Sequence, residues 1–384
     1  MEGGRFLGAG TYGCAFSPPL LCKGKKRSIP GKVGKITLEN LAKQEIVVAN
    51  QIRKVPLATN YFVLPEPESC ELAPQEEQRD PGLQECREDV EKREGVLEFD
   101  EMRQLIEPFG GTKPFYALFN TMNLHPKRFD FFRFMRHILE AGSTLLIAGV
   151  CHFDLHFGNL LVDKNQTVRI IDFGFSFLSK SINEVTLDGR WKRLRFGFES
   201  DASHPSIHNS EPPEITIMNA LRANMYSVNL YSVNQAVSLT VLGKDIFKDM
   251  EKYLGLPKEQ SRDELVRFWN TSGFAKKREY VKLWKTYWPG FDSWSIGCIL
   301  LETLKALLLL PEFTKGEYAT KKAAILSALQ GLLDPNPRTR LDCMEALAVY
   351  DPGNPWIQRF GSAWLAERKQ QRSKVKIEKG GSCE

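Results

Sequence analysis

Residues 151–174 read C-H-F-D-L-H-F-G-N-L-L-V-D-K-N-Q-T-V-R-I-I-D-F-G, with Asp154, Asn159 and Asp172 at offsets that could do chemistry together. Phosphoryl transfer from ATP needs a carboxylate that orients the attacking hydroxyl and accepts its proton. It also needs an oxygen-rich pair that holds Mg²⁺ against the phosphates. Asp154 suits the first role; Asn159 and Asp172 suit the second. His152-Phe153-Asp154 alone could be an ordinary turn. The reading rests on Asn159 and on Asp172-Phe173-Gly174 one hairpin later. Two His-x-x-x-His pairs, His152/His156 and His204/His208, have metal-ligand spacing but no companion cysteine pair, so zinc is not expected.

A second element could approach phosphates. Gly8-Ala9-Gly10-Thr11-Tyr12-Gly13 fits G-x-G-x-x-G, whose glycines let a backbone come close to a phosphate. In dinucleotide-binding folds the third glycine opens a helix. Here Cys14-Ala15-Phe16-Ser17-Pro18-Pro19 follows, and two prolines cannot continue one. A strand–turn–strand cover over a nucleotide is the functional reading, a plain glycine turn the bland one. The string GKVGKI lacks the spacing and the Ser/Thr of a Walker A loop.

These residues need elements to hold them. Arg5–Leu7 and Cys14–Phe16 read as strands flanking the glycine turn, and Lys32–Ile36 as another after a basic loop. Thr37 is the expected N-cap of a helix to about Lys54, carrying Leu38, Leu41, Val48 and Ile52. Strands are expected at Tyr61–Leu64 and Met102–Ile106, then a break at Glu107-Pro108-Phe109-Gly110-Gly111. Asp130 should cap an amphipathic helix to about Ala148. Short strands are expected at Leu160–Val162 and Val168–Ile171, and helices from about Asp292 onward. The fold class is α+β: a small β-rich half, a hinge and a larger helical half.

The chain's 384 residues suit two lobes, and its proportions (42% hydrophobic, 26% charged) are those of a folded protein. No apolar run approaches the ~18 residues that span a bilayer. The N-terminus lacks a signal-peptide layout, so an intracellular, soluble, membrane-free protein is expected. Eight cysteines without a C-x-x-C pair read as free thiols. Net charge is +5, with 14 acidic and 4 basic residues from Glu66 to Glu101 and basic runs at Lys23–Lys35 and Arg368–Lys379. Such runs read as solvated loops and tails; a nucleic-acid partner is not expected.

With these motifs in hand the sequence resembles the protein-kinase superfamily, and further signatures follow in that family's order. Lys32-Val33-Gly34-Lys35 stands where V-A-I-K would, making Lys35 the phosphate-binding lysine. Glu45 on the next helix is its implied ion-pair partner, with Glu39 the fallback. Pro212-Pro213-Glu214 resembles A-P-E. Asp292-Ser293-Trp294-Ser295-Ile296-Gly297 resembles D-x-W-S-x-G, whose Asp anchors the catalytic-loop backbone; read alone, Asp292 is a helix N-cap. Asp334 to Arg340 resembles the late D-P-x-x-x-x-R, whose Arg pairs with the A-P-E glutamate and would couple Arg340 to Glu214. The strings V-G-K-I, Q-E-I-V-V-A-N-Q-I-R-K-V-P, N-Y-F-V-L-P and L-I-E-P-F-G-G are similar to the divergent kinases of large (giant) DNA viruses.

The resemblance implies a bilobal kinase fold. Its N-lobe spans 1–106 with an acidic insertion at about 66–101, and its hinge spans 107–111. The C-lobe spans 112–357 with an insertion at about 215–291, and 358–384 form a basic tail. ATP would lie beneath Gly8–Gly13, near Ala15, with its adenine against the hinge residues Glu107 and Phe109. Lys35 would contact the α- and β-phosphates, Asn159 and Asp172 would hold Mg²⁺, and Asp154 would face a protein Ser/Thr hydroxyl. A monomer in host cytoplasm or virion is implied.

Departures from the pattern matter. Phe153 replaces the Arg that gathers a phosphorylated activation loop, implying activity that does not wait for that modification. His156 replaces the Lys that neutralises the transferring phosphoryl group, and histidine is only partly charged near neutrality. Ala15 replaces the Val that caps the adenine. His-x-Asp-Leu-His-x-Gly-Asn is also the pattern of aminoglycoside- and choline-kinase-type phosphotransferases, the alternative enzyme class; those enzymes lack the P-P-E and D-S-W-S-I-G elements. A nucleotide-binding pseudokinase is the non-enzymatic alternative. The insertion, with Trp269, Lys276, Lys277, Arg278, Trp284, Lys285 and Trp288, reads as a helical elaboration rather than a docking surface.

Overall fold

A computed structural model describes residues 4–10, 13–24, 30–74, 82–84, 86, 88, 101–111, 113–120, 124–194, 208–223 and 231–380. It is α+β: a five-stranded antiparallel sheet with a mostly helical remainder. The strands are β1 Arg5–Gly10, β2 Gly13–Ser17, β3 Lys32–Leu38, β4 Cys70–Glu71 and β5 Met102–Pro108. Shorter ones follow: β6 Lys113–Pro114, β7 Val150–Cys151, β8 Leu160–Val162, β9 Val168–Ile170 and β10 Phe177–Leu178. The chain divides into two compact units, 1–114 with 160–176, and 115–159 with 177–384.

In the first unit the sheet order is β1-β2-β3-β5-β4, with β6-β8-β9 a separate small sheet. Gly34 of β3 lies against Gln104 of β5, where a Cβ would stand 2.0 Å from Gln104 Oε1. That close approach lets the buried Gln104 amide receive Leu20 N at 2.9 Å and donate to Leu20 O at 3.0 Å. Phe16, Leu20, Ile36, Leu72, Leu83 and Met102 make the core beneath.

Several expectations change here. Thr37 does not cap the helix; it pairs with Arg103 inside β3, and the helix runs Glu39–Ile52 from an uncapped start at Leu38. Tyr61–Leu64 is not a strand. All four residues are buried, without the alternation of a half-exposed strand, and only Phe62 bridges to Ile170. Four cysteines are not free thiols: Cys14–Cys86 and Cys22–Cys70 are disulfides, each with Cα atoms 5.8 Å apart. Separations of 72 and 48 residues leave no local signal for such pairs. Cys151, Cys298 and Cys343 are buried thiols outside any disulfide. Cys383 and most of the acidic insertion lie outside the described residues.

The second unit is built around the helix Phe291–Leu307, whose Trp294, Ile296, Leu300 and Leu304 are fully buried. It packs against Phe131–Ala148 and Glu317–Leu332, and Cys343–Tyr350 packs on both. Helices begin well before Asp292: the insertion forms Val233–Gly243, Lys258–Ser272 and Tyr280–Tyr287, with Trp269 and Trp284 each 1% exposed. The basic tail is not simply solvated. Its residues Arg368 and Arg372 sit on the helix Ser362–Gly380 and pair with Asp342 and Glu345 at 2.9 and 2.5 Å. No helix among the described residues is long and apolar enough to cross a membrane.

Candidate functional site

The helix Glu39–Ile52 buries Leu41, Glu45, Val48 and Ile52, residues spaced along one face. A carboxylate on that stripe must find a cation, because an unpaired buried charge is costly. Glu45 Oε1 accepts from Lys35 Nζ at 2.5 Å. Lys35 comes from the middle of β3, where the register sets it between Ala15 of β2 and Leu105 of β5. The same ammonium donates to Asp172 Oδ1 at 2.7 Å. Burial opposes a charge on Lys35, but Asp172, Glu45 and Glu107 outweigh it and hold its pKa above the ordinary lysine value. Glu39, the fallback partner, pairs instead with Lys43 at 2.6 Å and Arg103 at 3.1 Å.

Asp172 follows β9 with φ 65°, a left-handed backbone that few non-glycine residues adopt. The turn is braced on both sides. Gly174 N donates to Asp172 Oδ1 at 3.2 Å, Phe173 meets Phe62 edge-on at 6.0 Å, and Gln44 Nε2 donates to Ser176 O at 2.7 Å. Burial pushes the Glu107 carboxyl up to about 8, with Lys35 opposing. Phe109 is exposed. Gly8, Ala9 and Gly10 end β1, and Gly10 pairs with Gly13 at the start of β2. A Cβ on Gly13 would stand 1.9 Å from Ile36 O, so this approach of β2 to β3 requires glycine. Thr11 and Tyr12 lie outside the described residues.

In the second unit, Asp130 caps the helix Phe131–Ala148, accepting from Phe132 N at 3.0 Å and Arg133 N at 2.9 Å. Gly149 ends it at φ 65° and turns the chain into β7, which pairs with β10. The next two amides are held by one side chain: His152 N and Phe153 N donate to Asp292 at 2.7 and 2.8 Å. Asp292 is not the N-cap of its helix; Gly290 is, and Asp292 sits in the first turn. Burial pushes the Asp292 carboxyl up to about 6, while the two amides favour its ionised form.

Phe153, at φ 65°, packs its ring on Trp284 at 4.8 Å, Phe177 at 5.6 Å and Phe291 at 6.0 Å. Asn159 Nδ2 donates to Asp154 O at 2.8 Å and to Asp154 Oδ2 at 3.3 Å. That commitment of the amide nitrogen fixes which way the Asn159 oxygen points. His156 Nδ1 accepts from Gly158 N at 3.0 Å, so a neutral ring carries its proton on Nε2, which lies 3.9 Å from Asp154 Oδ1. The Asp172 carboxylate is partly exposed and the Asn159 amide oxygen is a neutral acceptor. Each is by itself an oxygen donor of a kind that suits hard cations such as Mg²⁺, and among the described residues no group of three or more His, Cys, Asp or Glu could hold a metal ion.

The remaining expected pair forms too. Arg340 donates to Glu214 through both terminal nitrogens, at 2.7 and 2.8 Å, and neither side chain is exposed. Arg340 also stacks over Trp294, 5.0 Å from its ring centre. Sequence reasoning missed Lys244. This fully buried lysine donates to His208 O and, at 2.8 Å, to Glu211 O. Trp294 Nε1 and Ser295 Oγ hold the same stretch by bonding Asn209 O at 2.9 Å and Ser210 O at 2.7 Å. No motif marks Lys244, which stands in a run of ordinary helix and loop residues. His204 lies outside the described residues, as do 195–207. No protein-family model matches the chain.

Proposed function

We propose that this chain is an ATP- and Mg²⁺-dependent protein kinase that transfers the γ-phosphate to Ser/Thr hydroxyls of protein substrates. The observation that carries the reading is the meeting of Lys35 with Glu45 at 2.5 Å and with Asp172, 137 residues further on, at 2.7 Å. Glu45 keeps the Lys35 ammonium charged and aimed, ready to neutralise the nucleotide's α- and β-phosphates. Asp172 and Asn159 would hold Mg²⁺, which when bound neutralises phosphate charge. Asp154, tethered by Asn159, would accept the proton of the attacking hydroxyl. His156 would donate a hydrogen bond from Nε2 to the transferring group, a weaker substitute for a lysine. Phe153, fixed in an aromatic cluster with Trp284, would set the loop without a phosphorylated partner.

The buried Arg340–Glu214 pair supports a protein acceptor over a small metabolite, because the resemblance assigns that pair to protein kinases. Calorimetric titration with MgATP tests the nucleotide half of the proposal. The unaltered chain should bind, with a melting gain of about 2.7 kcal/mol at 100-fold excess over Kd. Lys35→Met and Asp172→Asn should lose most of that gain while keeping their fold. Undiminished binding by both variants would contradict the assignment.

A further inference from the structure

A cavity of about 820 Å³ opens in the second unit, lined by Arg267, Arg338, Arg340, Arg368 and Arg372 and, among the described residues, by no carboxylate or lysine side chain. The five arginines do different things. Arg340 is committed to Glu214, and Arg372 to Glu345 and to the carbonyls of Arg338, Thr339 and Arg340. Arg368 is braced by Asp342 at 2.9 Å and by Gln371 at 2.9 Å. Arg267 is exposed and pairs with Glu264 at 2.8 Å. Arg338 differs from all four: among the described residues it has no carboxylate partner. Its guanidinium donates to Thr271 Oγ1 at 3.0 Å, lies near Tyr287 and stacks 5.5 Å over Phe268.

The acidic partners Glu214, Glu264, Asp342 and Glu345 are not among the lining residues, and their ion pairs orient the guanidinium groups. A forked, pre-oriented guanidinium matches phosphate oxygens two at a time, which a lysine cannot do. Of the hydroxyls in the lining, those of Thr271 and Thr286 already donate to Arg267 O and Lys282 O, which leaves that of Tyr287 as a neutral partner. The volume exceeds that of a bare anion and leaves room beside Pro289 and Pro337 for the groups that carry it. A nucleic-acid strand would instead call for an extended basic stripe with exposed aromatic faces, whereas Phe268 is buried.

We propose that the cavity binds a phosphate monoester presented on a phosphorylated segment of another protein, with Arg338 and Arg267 as its ligands. The proposal does not depend on the kinase reading, so it is tested on the full chain and equally on Asp154→Asn. The probes are a degenerate phosphoserine peptide mixture, the same mixture dephosphorylated, inorganic phosphate and a single-stranded oligonucleotide, each titrated by calorimetry.

The phosphorylated mixture should bind saturably and the dephosphorylated one should not. Arg338→Ala and the surface change Arg267→Ala should each weaken binding on the order of tenfold with melting points retained. Arg338→Lys should rescue little, because charge without the fork is insufficient. Inorganic phosphate binding as tightly as the peptides would overturn the protein source. Oligonucleotide binding that falls steeply with salt and ignores Arg338→Ala would overturn the site, as would no binding by any probe.

Discussion

Lys244 is fully buried, and burial pulls its ammonium pKa down to about 8 against the opposing pull of Glu211. The unfolded chain holds that proton to about 10.5, so between these values the unfolded state binds more protons and stability rises with pH. The contribution is about 3 kcal/mol across that window. Denaturant unfolding at several pH values should show this rise in the unaltered chain and a flatter profile in Lys244→Met. An equal rise in the variant would place it on another group. Lys35 shows the converse balance, since three nearby carboxylates overcome its burial. Lys244 is fully buried and Lys35 partly so, and the two differ in what faces them.

Single elements are held by pairs whose members come from distant stretches. Glu214 lies in the first turn of Pro213–Ala223, and Arg340 lies beyond Glu317–Leu332. Arg340→Ala would leave the Glu214 carboxylate buried without a cation, a loss of about 3–5 kcal/mol. Urea unfolding should show that loss, with Glu214→Gln/Arg340→Met recovering much of it. An Arg340→Ala variant as stable as the parent would refute the pairing. Arg340, Glu214, Lys35, Glu45 and Asp292 were legible in the sequence because each sits at a fixed offset inside a short motif. Lys244 and the Trp284–Phe153 packing were not, because their partners are chosen by tertiary contact alone. Thr37 was misread for a related reason: its side chain suits a cap, but pairing with Arg103 keeps its residue in β3.

Across the whole molecule, the largest gap between sequence and structure is covalent. Cysteine counting without a local pattern gave free thiols, whereas Cys14–Cys86 ties β2 to the segment between β4 and β5, and Cys22–Cys70 ties the segment between β2 and β3 to β4. Cys14 directly follows Gly13 and sits in the core with Phe16 and Ile36. Each crosslink should contribute roughly 2–4 kcal/mol, mainly by restricting the unfolded chain. Reduction, verified by thiol counting, should lower the melting temperature and weaken nucleotide binding. A reduced chain with unchanged melting would contradict that role. The α+β class was legible from the alternation around the glycine loop and the helical periods beyond it. The division that groups 160–176 with 1–114 was not, because that grouping depends on contacts between segments remote in sequence. The proposed phosphoryl transfer is tested by label from γ-³²P-ATP with Mg²⁺ on basic and acidic protein acceptors, the unaltered chain beside Asp154→Asn. Labelled protein is expected, reduced about 10²–10⁴-fold in the variant. Nucleotide binding without label on any protein, or equal label from both chains, would contradict it.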